Sequence, residues 1–317
     1  MDLAGARVAI VSGKGGTGKT TVACALALGA ARAGRSVLLV ELEGRQGAAR
    51  LLGLRPATFE ERPTPLGFSL ESVGPRDALL EYLRLFYGIT RVAGPLLRSR
   101  AVELATEAAP GFRDMMLAGK LYEVAEWRRG SPRGRGRPRY DLVVADAPPT
   151  GQIVPFLSAP RVFAELIRMG RPHGQARRID AFLRRRALIL LVTTAEELAV
   201  TETLEARDAI GALGMRVGPV IVNRLLEDPL PRGTVRAFER LAPADARRLA
   251  QAAGAPMPQP AAATALEVAR TQRARAREAS AQVGRLGDSP VIRLPFLFSE
   301  RFGPAEVARL AATLEEA

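Results

Sequence analysis

Apolar residues along this 317-residue chain fall into two kinds of run. Short, continuous runs lie at Arg7–Ser12, Ser36–Leu42, Gly67–Val73, Tyr140–Asp146, Ala187–Thr193, Val217–Asn223 and Pro290–Leu294. A strand with one wet face alternates apolar and polar positions. Most of these runs do not, so they predict strands covered by helices on both faces. Longer stretches with helical spacing separate them, at Thr21–Arg32, Ala195–Leu213, Pro243–Ala253, Ala261–Leu286 and Pro304–Glu316. The alternation predicts an α/β fold, a doubly wound and mostly parallel sheet.

Two stretches interrupt it. Residues 76–129 carry only helical patterns, with Leu79, Leu80, Leu83, Phe86 and Tyr87, then Met115, Met116, Leu117, Leu121 and Tyr122. Residues 159–186 are helical and rich in arginine. Both read as helical inserts at one edge of a single domain spanning 1–317. The first offers a groove for an apolar partner segment, since methionine adapts to varied surfaces. Arg129 to Arg139, dense in Arg, Gly and Pro, reads as a solvated basic linker.

Composition narrows the function classes. The net charge is +13, from 46 basic and 33 acidic residues. The basic positions are dispersed over loops and helices rather than interleaved with aromatics in one patch, which favours a solvated surface over a nucleic-acid interface. Cys24 is the sole cysteine, so no disulfide or cysteine-based zinc site forms within one chain, and the expectation is no zinc. A glycine-rich loop begins within a dozen or so residues of Met1, leaving no room for a signal peptide, and no run reaches membrane-span length. The expectation is a cytoplasmic protein.

That loop carries the chemistry. The chain has three lysines, Lys14, Lys19 and Lys120, while every other basic side chain is arginine. Two of the three stand in Gly13-Lys14-Gly15-Gly16-Thr17-Gly18-Lys19-Thr20, between an apolar strand and a helix, which is the context of a phosphate-binding loop. Glycines let the backbone curl and aim N–H groups at phosphate oxygens, and the following helix adds its positive end. Lys19 then reaches the β- and γ-phosphates, Thr20 holds Mg²⁺ and Thr21 offers a hydroxyl toward the α-phosphate. Asp146, ending the run Tyr140–Asp146, brings a carboxylate to the same sheet edge to organise Mg²⁺ and its waters.

The Lys-Gly-Gly-Thr-Gly-Lys-Thr form resembles the deviant Walker A loop of the class that holds the MinD, ParA and nitrogenase-iron-protein ATPases. Asp146-Ala-Pro-Pro-Thr-Gly151 resembles the switch II of its ArsA-like branch, which includes arsenite-pump ATPases and the guided-entry ATPases for tail-anchored proteins. The resemblance implies an ATP-binding, Mg²⁺-dependent ATPase that works as a dimer, with itself or with a paralogue, and acts on a client or membrane-protein partner. It implies that Lys14 crosses to the partner's phosphates and that Gly151 senses the γ-phosphate. It further implies that Asn223, the only asparagine, reads adenine together with Pro295 and Phe296. Glu43 stands where the branch carries a switch I aspartate that orients the attacking water. The cysteines that bind zinc or metalloid in that branch are missing. The alternatives are a positioning ATPase of the ParA or MinD kind, acting on nucleic acid or membrane, and a low-turnover nucleotide-binding subunit of a paralogous heterodimer.

Overall fold

The computed structural model describes residues 3, 5–87, 111–126, 138–228, 230 and 232–317, with the side chains of 82–87 and 232 excepted. Part of the first insert (88–110), most of the Arg/Gly/Pro linker, and the side chains of Leu83, Phe86 and Tyr87 lie outside the described residues.

Eight strands form one sheet: β1 (Val8–Gly13), β2 (Val37–Leu42), β3 (Arg62–Pro63), β4 (Ser69–Val73), β5 (Leu142–Asp146), β6 (Ala187–Thr193), β7 (Val220–Leu225) and β8 (Val291–Pro295). Their order is β3-β4-β2-β5-β1-β6-β7-β8, parallel except for the two-residue edge strand β3. Every residue of β1, β2, β5 and β6 is buried, which is why those runs do not alternate. β7 was expected at Val217–Asn223 but pairs from Val220 to Leu225; Val217 keeps only an isolated bridge to Ile189.

The helices are α1 (Lys19–Arg32), α2 (Gly47–Leu51), α3 (Pro75–Tyr87), α4 (Phe112–Glu126), α5 (Thr150–Leu166), α6 (Gly170–Arg186), α7 (Glu197–Ala212), α8 (Val235–Glu239), α9 (Pro243–Ala252), α10 (Gln259–Gly284) and α11 (Pro304–Glu316). One face of the sheet packs on α1 and α11, where Cys24 is a fully buried thiol. The other face packs on α4, α5 and α6, through Met115, Leu117, Leu121, Ile153, Phe156, Ile179 and Leu183.

Three expectations are corrected here. The described helices α4 and α6 of the inserts do not sit at an edge; with α5 they make the covering layer of one sheet face. Met115, Met116 and Leu117, expected in a partner groove, are 3%, 5% and 0% exposed and belong to the core. The second helical segment also starts earlier than 159, because α5 runs from Thr150 through Pro155 and Pro160. Burial of Ile153, Phe156 and Leu157 outweighs the two proline breaks.

Lys120 has a structural role. Its buried ammonium lies 2.6 Å from Glu81, 3.3 Å from Glu71 and 3.6 Å from Glu123, and 4.7 Å from the centre of the Phe59 ring. It thereby ties β4 to α3 and α4. Burial alone would lower its pKa, but the three carboxylates outweigh that and raise it. Burial lifts both Glu71 and Glu123 from 4.5 to about 7, against Lys120. A folded carboxyl with a raised pKa holds its proton where the unfolded one has lost it. Its stabilisation is therefore complete below pH 4.5 and is lost as pH rises through about 7. Denaturant titrations should show stability falling across that window, by at most roughly 3 kcal/mol for Glu71. Glu71→Gln should lose about half of the slope, as Glu123 keeps its share. An unchanged slope would contradict this assignment.

Candidate nucleotide site

β1 ends at the point where the chain's crossovers diverge, toward β5 and β2 on one side and β6 and β7 on the other. Ligands of open parallel sheets bind outside the carboxyl ends of the strands at such a switch point. The loop Gly13–Lys19 occupies that place. Gly13 has φ 153, and a Cβ there would overlap the Val192 carbonyl of the neighbouring strand. Gly18 has φ 93, and a Cβ would overlap the Asn223 amide. Both positions therefore require glycine. Gly15 and Gly16 face open space, so the cradle is clear on its outer side.

Polar contacts fix the loop from within. The Thr17 hydroxyl donates to the Lys14 carbonyl at 2.9 Å, and the Lys19 ammonium donates to the same carbonyl at 3.1 Å. Lys19 opens α1 and is buried. Burial pulls its pKa below the ordinary lysine value; Asp146 opposes this and Arg45 adds to it. A partly desolvated cation in such a cradle is suited to a polyanion. Thr21 lies half-buried in the same helical turn.

Hard oxygen donors gather beside it. The Thr20 hydroxyl donates to Asp146 Oδ2 at 2.6 Å. Burial raises the Asp146 pKa, against the Thr20 hydrogen bond and Lys19. Glu41 is the register partner of Asp146 across β2 and β5 and is fully buried. Its Oε1 accepts from the Ala48 N–H at 2.7 Å, while its Oε2 has no partner among the described residues. A Cβ on Gly47 would stand 3.4 Å from the Thr20 hydroxyl and 3.6 Å from Glu41 Oε1, so the two groups flank one small space. A hydroxyl and two buried carboxylates, one of them with an oxygen left unpartnered among the described residues, fit Mg²⁺.

Lys14 extends from the loop to Glu202 on α7, with its ammonium 2.5 Å from Oε1. The other Glu202 oxygen accepts from the Thr150 hydroxyl at 3.3 Å. Thr150 and Gly151 form the first turn of α5, directly after Asp146-Ala-Pro-Pro, and Ser12 at the end of β1 donates to Pro148 at 2.6 Å. Loop, switch II and α7 thus meet at one place.

Glu43 follows β2 in a left-handed turn, φ 68, beside Gly44. Arg45 pairs with its Oε2, and Arg113 of α4 pairs with its Oε1 at 2.8 Å. On the far side of the loop, the Asn223 amide donates to the Thr17 carbonyl at 2.9 Å. One Asn223 N–H therefore braces the loop, leaving the second N–H and the carbonyl for other partners. Pairing of Leu225 with Pro295 brings the late segment alongside, where the Phe296 N–H donates to the Leu225 carbonyl at 2.9 Å. The exposed rings of Phe296 and Phe298 stack edge to face at 4.9 Å. The structure therefore brings Lys14, Lys19, Thr20, Glu43, Asp146 and Gly151 to one sheet edge, with Asn223, Pro295 and Phe296 beside them.

The profile of the CobQ/CobB/MinD/ParA nucleotide binding domain matches residues 8–250. The chain belongs to that family. It is an ATPase of the ArsA-like and GET3-like type, as its motifs implied. ATPase BagA of Mycobacterium tuberculosis is 39% identical over 258 residues, covering 78% of this chain and 73% of BagA. ATPase GET3 of Mycosarcoma maydis is 27% identical over 173 residues, 52% of this chain and 46% of its own. The arsenical pump-driving ATPase of Escherichia coli is 21% identical over 235 residues, 68% of this chain and 39% of its own.

Three residues of this ATPase's site escaped the sequence reading. Glu202 and Arg113 are 188 and 70 residues from their partners, and nothing local marks them. Glu41 did carry a signal, an acid inside the apolar run Val37–Leu42.

Proposed function

We propose that this ATPase is a Mg²⁺-dependent nucleotide switch that works as a dimer, of like chains or of paralogues, and couples hydrolysis to binding or delivery of a client or transport partner. The observation that carries the reading is Lys14. Its ammonium sits at the outer tip of the phosphate loop, 29% exposed, held by a Glu202 that is itself 34% exposed. A pair so open to water contributes only about 0–1 kcal/mol, so Lys14 leaves it at little cost for a facing triphosphate.

The roles follow from position. Loop N–H groups and Lys19 would hold the β- and γ-phosphates, and Thr20 and Asp146 would hold Mg²⁺, Asp146 by way of its waters. When bound, Mg²⁺ neutralises charge on the phosphate oxygens. Glu43 orients the attacking water, and a partner's Lys14 meets the charge that develops on the transferred group. Asn223, with Pro295 and Phe296, frames adenine. The name of the pump-driving relative supports a partner-coupled role. Among the described residues no helix is long and apolar enough to cross a membrane, so such a partner would be bound by a surface.

Glu43→Gln tests the water-orienting role. The variant should bind ATP and accumulate as an ATP-bound dimer in light scattering, with hydrolysis reduced at least about tenfold. Hydrolysis at the native rate would remove Glu43 from the mechanism.

A further inference from the structure

Among the described residues, Glu43 is joined to the helical layer by one side chain. Its carboxylate is only 10% exposed although it sits in a surface turn, because two guanidinium groups cover it. They are not equivalent. Arg45 is two residues away on the same loop and moves with Glu43. Arg113 is 70 residues away, the second residue of α4. Beyond it, Met115, Met116 and Leu117 are buried against the sheet, and Lys120 is bound by three carboxylates. Among the described residues, Arg113 is therefore the contact that locates the Glu43 carboxylate relative to the helical layer. The field of Glu43 and Arg45 reaches both Lys19 and Asp146, so the pair lies toward the phosphate end of the site.

We propose that Arg113 is a positioning residue for hydrolysis: by holding Glu43 Oε1 from the first turn of α4, it makes the alignment of the attacking water depend on where that helix sits. The proposal rests on the reading of Glu43 as the water-orienting group. Orientation terms are steep, since a carboxylate displaced by about 1 Å loses on the order of 100-fold in rate. α4 belongs to the 76–129 segment, so a partner that displaces its first turn would change the hydrolysis rate without touching nucleotide.

The test uses four variants of the full chain: Arg113→Gln, Arg113→Lys, Glu43→Gln and the double Arg113→Gln/Glu43→Gln. Arg113→Gln should lower kcat about tenfold while KM for ATP stays within about twofold. Arg113→Lys, which keeps the charge, should recover most of the loss. The double variant should be no slower than Glu43→Gln, because the two residues act as one unit. Amide hydrogen exchange should quicken in residues 43–50 of Arg113→Gln and stay native in 115–124. Native kcat in Arg113→Gln beside an inactive Glu43→Gln would overturn this proposal and leave the role of Glu43 standing. Native kcat in Glu43→Gln would overturn the underlying reading instead. Lost protection across 115–124 in Arg113→Gln would mark Arg113 as a packing residue and sink the proposal.

Discussion

Lys19→Ala is expected to weaken ATP binding by at least about 100-fold, equivalent to about 3 kcal/mol. The ammonium is buried at the head of α1, within 3.1 Å of the loop carbonyl it now contacts. Among the described residues no other cation is placed to replace it: Lys14 reaches outward to Glu202, and Arg45 is engaged with Glu43. The loss should appear in equilibrium binding of ATP, with thermal stability nearly unchanged because Lys19 makes no ion pair among the described residues. Binding within about tenfold of native would place the phosphates elsewhere.

Lys14→Ala should behave differently. ATP binding should stay within a few-fold, while kcat falls on the order of 100- to 1,000-fold, as for the loss of a cation that acts mainly on the transition state. The contrast between the two lysines decides the matter. They stand five residues apart in one loop, yet one ammonium turns in to the cradle and the other out to α7. Equal loss of binding in both variants would make Lys14 an ordinary phosphate ligand of its own chain. The same geometry implies that Glu202→Gln lets Lys14 go more easily, lowering the ATP concentration at which dimers form.

Much of this was legible because it is local. Glycines at positive φ, a lysine at the helix start and an aspartate at a strand end are each set by a few neighbouring residues, and the continuous apolar runs gave the buried strands. The rarity of lysine also marked Lys120, although only packing shows that it sits among three carboxylates rather than in a site. Contacts that close over long sequence separations were not legible. Glu202 with Lys14 and Arg113 with Glu43 exist because strand order, not sequence, brings α7 and α4 to the loop. The start of α5 at Thr150 lies ahead of the expected 159 for a different reason: proline ordinarily breaks a helix, yet burial of Phe156 and Leu157 holds this one through Pro155 and Pro160. Met115 and Met116 resembled an adaptable binding surface, yet nothing in their spacing distinguished an open groove from the sheet face they cover.

The claim on which the rest depends is that Lys14 acts across a dimer interface. Mixing two separately inactive chains, Lys14→Ala and Glu43→Gln, tests it in one ATPase measurement. In a mixed dimer, the site on the Lys14→Ala chain keeps its own Glu43 and receives Lys14 from its partner, so one site of two is whole. Random pairing of equal amounts should then restore about a quarter of the native rate. A mixture that hydrolyses ATP no faster than the two variants measured apart would mean that Lys14 serves its own chain, and the dimeric reading would fall.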